Sequence, residues 1–124
     1  MKVAVSSSGR EAASPVDPRF GRCPYFVFAD TELGTFEAVA NEAVSSGHGA
    51  GVQAAQSLVQ AGAEAVVSQR FGPNAYQVVA AAGLGAYECG PMTVAEAVEA
   101  FKAGTLTAVS GPTGPAHAGS RGRF

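Results

Sequence analysis

Arginine and glycine are concentrated in three short loops of the sequence, and this combination is suited to binding an anion. The loops run from Arg19 to Pro24, from His48 to Gly51 and from Arg70 to Ala75. Arginine keeps its positive charge and offers a planar fork of N–H donors. Glycine at the start of a helix leaves backbone N–H groups open to a ligand. The loops therefore favour the binding of a compact anion over acid–base chemistry.

Three kinds of group in these loops could hold such an anion. Guanidinium groups supply charge, residues at helix starts supply N–H donors, and two phenylalanines supply apolar shielding. The candidates for binding a cofactor are Arg19, Phe20, Gly21, Arg22, His48, Gly49, Ala50, Gly51, Arg70, Phe71, Gly72, Pro73 and Asn74. Two side chains, Cys23 and His48, are candidates for direct metal ligation, because nearby arginines would favour a thiolate and imidazole is a common ligand.

Each candidate also has a purely structural interpretation. The arginines of the first loop could pair with Asp17 or Glu11 and only hold that loop in place. The glycines could serve sharp turns and helix starts alone. Cys23 could be a small buried apolar side chain, and His48 a solvated imidazole. The residue types alone leave these alternatives open.

Length and charge restrict the class of protein. The chain has 124 residues, enough for one domain with a buried core and no stabilising disulfide or metal. Its formal net charge is −2, and it lacks the basic stripe expected of a protein that binds nucleic acid or a membrane surface. No apolar run approaches the roughly 20 residues of a membrane span, and the N-terminus does not resemble a signal peptide, so we expect a cytoplasmic protein. Cys23 and Cys89 do not form the spacing of a zinc site or a disulfide framework.

The segments between the loops predict an α/β domain with a partly parallel sheet. Their order is three strands and a helix, followed twice by a strand and a helix. The predicted strands are 3–5, 25–29, 35–40, 64–68 and 84–87. Ligands of such sheets bind beyond the carboxyl ends of the parallel strands, where the loops after Val5 and Val67 are expected to meet.

Two of the predicted helices begin at candidate loops. The first follows Gly51, and the second begins at Pro73, because proline suits a first helical turn whose N–H needs no partner. The positions predicted to face the core are Val52, Ala55, Leu58 and Val59 in the first helix and Tyr76, Val79 and Ala80 in the second. Thr93 and Glu96 form a capping box that starts a third helix. Residues 1–106 are the predicted domain, and the segment 107–124, rich in glycine and proline, is a predicted mobile tail.

Three motifs in order resemble the dinitrogenase iron-molybdenum cofactor biosynthesis family. They are Arg19–Arg22 before Pro24–Phe26, then Gly49–Gly51, then Gly72–Tyr76, and the resemblance extends from Met1 to about Leu106. It implies a ribonuclease-H-like motif in which a mixed five-stranded sheet is flanked by helices. It also implies non-covalent binding or carriage of an anionic sulfide cluster, either a molybdenum–copper or an iron–molybdenum–sulfur cluster. A recipient or donor protein for that cluster is an expected partner.

Two positions depart from the usual pattern of that family. His48 stands where members commonly carry a second glycine, and Ser68–Phe71 stands where they carry a small or glycine-containing stretch. These differences add an imidazole and a positive charge to the loops. They bear on which cluster is bound and leave the general role unchanged.

Two functions of other classes compete with cluster binding. A nuclease would need carboxylates for magnesium, but the first strand has none, Asp30 lies at the far end of the hairpin, and the loop after Val67 has no acid. A regulatory module for a nucleotide or phosphorylated metabolite would use the same amides and arginines, and this alternative stays open. Because no nucleophile with a base and an orienting partner is recognisable, we expect a binding protein and not an enzyme.

Overall fold

Strands and helices alternate around one mixed sheet, as the sequence predicts. A computed structural model of the chain describes residues 1–45 and 50–109. Its strands are β1 (Lys2–Ser7), β2 (Tyr25–Asp30), β3 (Thr35–Ala40), β4 (Ala65–Ser68), β5 (Gly85–Glu88) and β6 (Thr107–Ala108). The α-helices are α1 (Ala50–Gln60), α2 (Pro73–Ala81) and α3 (Val94–Ala103), and a short 3-10 helix, Glu42–Ser45, follows β3. The predicted α/β class is confirmed.

The direction of the strands brings the candidate loops to one edge of the sheet. The strand order is β3-β2-β1-β4-β5-β6. β1, β4 and β5 are parallel, whereas β2 is antiparallel to both β1 and β3. The carboxyl ends of β1, β3, β4 and β5 therefore lie together, at what we call the carboxyl edge. The loops after β1 and β4 leave the sheet there, and the chain that ends β3 leads into α1 from the same side.

The sheet contains one strand more than the five that the family resemblance implied. β6 has only two residues, both exposed, and pairs antiparallel with β5 through Tyr87 and Glu88. A segment of this length is too short to show strand periodicity in the sequence. It falls within the stretch 107–124 that was predicted to be a tail, of which residues 110–124 lie outside the described part of the chain.

Helices cover both faces of the sheet, so its central strands are buried on both sides. Ala4 and Val66 face a core shared with Leu58 of α1 and Val79 of α2. Their neighbours in the strands, including Val5 and Val67, face a second core shared with Val94 and Val98 of α3. This two-sided burial explains why β1 and β4 have apolar runs instead of an alternating pattern.

Two residues of α1 and α2 that were predicted to face the core are exposed instead. Val59 is 43% exposed, whereas Ala54 is fully buried. Ala80 is exposed next to the buried Val79. Val59 and Ala80 each directly follow a buried residue. Successive side chains of an α-helix point in directions about 100° apart around its axis. The predictions for Val59 and Ala80 were therefore wrong by one position of the helical repeat.

The capping box of α3 is confirmed by its hydrogen bonds. The backbone N–H of Glu96 donates to Thr93 Oγ1 over 3.1 Å, and the backbone N–H of Thr93 donates to Glu96 Oε1 over 2.9 Å. The helix ends at Gly104, whose left-handed conformation, with φ of 75°, suits glycine. Within residues 1–45 and 50–109, no helix is long and apolar enough to cross a membrane.

Candidate functional site

The first loop, α1 and α2 are in direct contact at the carboxyl edge. A Cβ atom added to Gly21 would lie 2.9 Å from the backbone N and Cα of Gly51. A Cβ added to Gly51 would lie 3.2 Å from the Cβ of Ala75 in α2. Larger side chains at either glycine would force these segments apart. These two glycines thus have a packing role, whereas the structural alternative expected from the sequence was a sharp turn or a helix start.

The starts of α1 and α2 border a depression of about 440 Å³, which we call the larger depression. Residues from all three candidate loops line it. Those from the predicted site are Gly21, Arg22, Ala50, Gly51, Gly72, Pro73 and Asn74. The positive ends of two helix dipoles and the Arg22 guanidinium therefore border the same space, and no lining residue in the described chain is acidic.

A second depression of about 280 Å³, the smaller depression, adjoins the first. Arg19, Phe20 and Arg70 line it. The two depressions share Gly21, Gly72 and Ala75 as lining residues. The structure thus brings the arginines of the first and third loops to one edge but distributes them over two neighbouring spaces.

Arg19 is held by a buried carboxylate. The backbone N–H of Arg19 donates to Asp17 Oδ1 over 2.9 Å, and Arg19 Nε lies 3.4 Å from the same oxygen. The second carboxylate oxygen of Asp17 accepts the Ser8 hydroxyl over 3.1 Å. The Arg19 side chain is nevertheless 60% exposed. The structural interpretation therefore holds in part: Asp17 orients this arginine, which still lines the smaller depression.

Arg70 lies beside Arg19 on the neighbouring strand connection. The backbones of Arg19 and Arg70 form an isolated parallel bridge. Arg70 is exposed, and it forms no ion pair with any residue in the described ranges. Two guanidinium groups thus border one depression although Asp17 offsets the charge of only one of them.

Phe20 and Phe71 lie beneath the loops and not on their surface. Their ring centroids are 5.5 Å apart, and Phe20 lies at the same distance from Phe26 of β2. Phe71 is fully buried and lines neither depression, so the predicted shielding of a ligand is not available to it. Phe20 is 2% exposed and contributes only to the floor of the smaller depression. The aromatic cluster anchors both loops to the core.

Cys23 is a buried thiol, contrary to the expectation that nearby arginines would favour its thiolate. Burial raises the pKa of the Cys23 thiol to about 12, and its Sγ donates a hydrogen bond to the carbonyl of Phe20 over 3.2 Å. Burial and the neighbouring Glu88 likewise raise the pKa of Cys89, to about 11. Neither cysteine is an exposed, low-pKa thiolate of the kind that acts as a reactive nucleophile.

Direct metal ligation has no support in the described part of the molecule. No group of three or more His, Cys, Asp and Glu side chains there could hold a metal ion. Two residues of the predicted site, His48 and Gly49, lie outside the described residues. What the described residues offer is guanidinium groups and backbone N–H donors, which suit an intact anion and not a bare cation.

Gly72 differs from Gly21 and Gly51 because no close contact in the fold requires a glycine at its position. It is the N-cap residue of α2, with φ of −69° and ψ of 170°, a conformation open to any residue. A Cβ added there would meet no atom within 4 Å, and no side chain caps the helix. The glycine therefore leaves the N–H groups of the first turn of α2 uncovered.

Some residues of the site could not be recognised in the sequence. Val52, Gln77 and Val78 line the larger depression through helical positions that carry no distinguishing pattern. Asn41 fixes the first loop, because its Nδ2 donates to the carbonyl of Cys23 over 2.8 Å and lies 3.3 Å from that of Gly21. An asparagine directly after a strand was the only available signal for this role.

The chain resembles known proteins over a range that includes the whole candidate site. The model of a family described as dinitrogenase iron-molybdenum cofactor matches residues 1–104, a range that contains both depressions. An uncharacterised protein of Methanocaldococcus jannaschii is 31% identical over 102 residues, which are 76% of this chain and 86% of that protein.

Solved structures of two relatives share the fold and more than a third of the aligned sequence. The apo form of the orange protein from Desulfovibrio gigas matches with a TM-score of 0.85 and 37% identity, over 90% of this chain and 94% of that one. A protein from Thermotoga that is assigned to the DUF35 family matches with a TM-score of 0.76 and 39% identity, over 86% and 91% of the two chains.

Proposed function

The chain belongs to the dinitrogenase iron-molybdenum cofactor family, and from this premise we propose that its carboxyl edge binds or carries an anionic, molybdenum-containing sulfide cluster without covalent ligation. The metals joined to molybdenum would be copper or iron. The protein acts as a binder or carrier and not as an enzyme, and a donor or recipient of the cluster would be its partner.

One observation carries the proposal. The larger and smaller depressions are lined by three arginines and by the starts of two helices, and by no carboxylate among the described residues. An isolated surface arginine usually serves solubility, but three that border adjoining concave spaces concentrate positive potential there. The helix starts add N–H donors and positive dipole ends in the same place.

The donor set fits a complete cluster better than single metal ions. A sulfide cluster carries several negative charges on sulfur atoms at its outside, and these atoms accept hydrogen bonds from guanidinium and amide N–H groups. The α2 start supplies such amides at Asn74 and Ala75, beside the uncovered Gly72. Metal ions bound one at a time would instead need several thiolates or imidazoles close together. No group of three or more His, Cys, Asp and Glu side chains in the described residues could hold a metal ion.

Anaerobic reconstitution tests the proposal. The apoprotein is mixed with tetrathiomolybdate, with and without copper(I), and separated by gel filtration, and molybdenum, copper and protein are measured in each fraction. We expect molybdenum to elute with the protein and to give visible charge-transfer absorption. If no metal elutes with the protein from any of these mixtures, the proposal is wrong.

Variants of the cysteines and arginines test the mode of binding. The double variant Cys23→Ser and Cys89→Ser should keep the metal, because neither thiol is expected to be a ligand. The double variant Arg19→Ala and Arg22→Ala should retain clearly less, because it removes charge from both depressions. Loss of the metal in the cysteine variant with full retention in the arginine variant would mean thiolate ligation.

Competition with phosphate compounds distinguishes the regulatory alternative. A nucleotide-binding or metabolite-binding module would use the same N–H donors but would prefer phosphates. We expect ATP and inorganic phosphate at millimolar concentration to displace little of the bound thiomolybdate. Tight binding of a phosphate compound together with no retention of thiomolybdate would support the regulatory alternative instead.

A further inference from the structure

A groove of about 270 Å³ lies between β3 and α1, away from the two depressions of the carboxyl edge. Its apolar lining residues are Phe26, Phe28, Val39, Ala40, Leu58 and Ala61. β3 is an edge strand of the described sheet, and Val39 on it is exposed, as are Leu33 and Phe36 nearby. Exposed apolar side chains concentrated along an edge strand indicate a surface that another segment covers.

The charge around this groove is mainly acidic. Between Arg22 and Arg70 the sequence contains five Asp and Glu residues and no Lys or Arg. Glu42 lines the groove, and Glu37 pairs with Phe28 of its floor and is therefore on the same face of the sheet. Lys2 is the nearby cation in the described chain, and its ammonium donates to the carbonyl of Ala61 over 2.8 Å, at the far end of the groove from Glu42.

Residues 120–124 of the same chain have the complementary chemistry. They include Arg121, Arg123 and Phe124, and they follow a stretch, 110–119, with three glycines and two prolines, a composition typical of linkers. An acidic, apolar groove attracts a segment of two arginines and one aromatic ring, whereas the arginines of the carboxyl edge would repel it.

The linker is long enough to reach the groove. β6 and β3 lie at opposite ends of the sheet, five strand spacings or about 24 Å apart. Because β6 is antiparallel to β5, the chain leaves it toward the amino ends of the parallel strands, and Ala61 of the groove follows α1 on that same side. The ten residues 110–119 can span up to about 33 Å. Residues 120–124 can thus reach the groove of their own molecule.

We propose that residues 120–124 occupy the groove between β3 and α1 of the same chain. The ring of Phe124 packs on the apolar lining, and the two arginine side chains lie near Glu37 and Glu42. The segment thereby covers the exposed apolar surface beside β3. This inference does not depend on the binding of a cluster, because no residue of the two depressions takes part in it.

Nuclear magnetic resonance of the ¹⁵N-labelled full chain, without metal, tests the contact from the side of the segment. In the unmodified protein we expect the amides of residues 121–124 to have order parameters above about 0.6, as in an ordered backbone. Phe124→Ala should lower the ratio of docked to free segment about tenfold and shift the amides of Glu42, Ser57 and Ala61, which line the groove. The control Thr113→Ala changes the linker and should leave those amides unshifted.

A charge reversal tests the contact from the side of the groove. Glu37→Lys should lower the order parameters of residues 121–124 below about 0.6, and adding Arg121→Glu should restore them in part, which a loss of folding would not allow. Glu99→Lys is the matched control, because Glu99 is an exposed residue of α3, which covers the other face of the sheet. Circular dichroism verifies that each variant is folded.

Three results would overturn the inference. Order parameters below about 0.6 for residues 121–124 of the unmodified protein would mean that the segment is not docked. Shifts caused by Phe124→Ala at Gly21, Arg22 and Gly72 would place the segment at the carboxyl edge instead. Order that is lost on tenfold dilution would mean that a second copy supplies the segment. None of these results bears on cluster binding, because the samples contain no metal.

Discussion

Replacing Gly72 with aspartate should separate the stability of the fold from the binding of an anion. The position caps α2 in an extended conformation and has room for a side chain. Aspartate is among the best N-cap residues because its carboxylate accepts an N–H of the first turn. The same carboxylate would lie beside both depressions and occupy one of the donors proposed for the ligand. We therefore expect Gly72→Asp to be at least as stable as the unmodified protein and to bind a thiometalate anion more weakly.

The two effects have opposite signs and can be estimated separately. Aspartate should gain a few tenths of a kcal/mol over glycine as a cap, and about 0.3–1 kcal/mol from the helix dipole. Repulsion between two unit charges about 6 Å apart is about 0.7 kcal/mol in water and about 2.8 kcal/mol at an effective dielectric constant of 20. For a dianion these values double. The dissociation constant should therefore rise at least about tenfold.

Thermal unfolding and anaerobic dialysis with tetrathiomolybdate measure the two quantities on the same samples. Gly72→Asn is the matched control, because asparagine has the shape and capping ability of aspartate without its charge. We expect the asparagine variant to bind within about threefold of the unmodified protein. If Gly72→Asp folds and binds as tightly as Gly72→Asn, no anion approaches the start of α2, and the reasoning about this site is refuted.

Two further predictions concern the packing and the buried thiol. Gly21→Ala should lower the free energy of unfolding by about 1–3 kcal/mol in urea denaturation, because its Cβ would lie 2.9 Å from the Gly51 backbone. The control Gly90→Ala, whose Cβ meets nothing within 4 Å, should change it by less than about 0.5 kcal/mol, and equal effects would contradict the close contact. Because burial raises the pKa of Cys23 from an ordinary value of 9.0 to about 12, the unfolded chain loses this proton first. Its contribution to stability is therefore complete below about pH 9 and is lost as the pH rises toward 12, by up to about 1.36 kcal/mol per pH unit. Urea denaturation in reducing buffer should show a shallower decline over this range for Cys23→Ala, and an unchanged slope would count against the burial of the thiol.

Most strands and all three α-helices could be predicted because their apolar patterns are long or sharply bounded. The buried run of β1, the proline at the start of α2 and the capping box at Thr93 are local signals, and each appears in the structure. β6 has two residues and owes its place to pairing with β5, a tertiary interaction with no local pattern. A strand of two residues cannot be predicted from its own sequence, because its position depends on the strand with which it pairs.

The burial of α1 illustrates how packing overrides hydrophobicity. Val59 was predicted to face the core because it belongs to the helical stripe of Val52, Ala55 and Leu58. The close approach of α1 and α2, with only 3.2 Å between an added Cβ at Gly51 and Ala75, instead favours small residues at their contact. Ala54 is fully buried, whereas Val59 is 43% exposed. Which residues of a helix are buried depends on its distance from neighbouring helices, and this distance cannot be predicted from the sequence of one helix.

The meeting of the candidate loops could be predicted, but the roles of their residues could not. Parallel strands place their carboxyl ends at one edge, so the topology alone brings Arg19 near Arg70. Whether a side chain in such a loop points outward depends on how the loop folds back. Phe71 and Cys23 are buried in the core, and the buried carboxylate of Asp17 accepts a hydrogen bond from the backbone N–H of Arg19. Because of these orientations, the groups that line the site are guanidinium groups and N–H donors, and not aromatic rings or thiolates.

Nuclear magnetic resonance of the ¹⁵N-labelled protein, before and after anaerobic loading with thiomolybdate and copper(I), tests the central claim most directly. We expect the largest changes in amide chemical shift at Gly21, Arg22, Gly51, Gly72 and Asn74, and only small changes at Cys89 and in α3. Loading that leaves these amides unshifted, or shifts that centre on a different surface, would contradict binding of the cluster at the carboxyl edge.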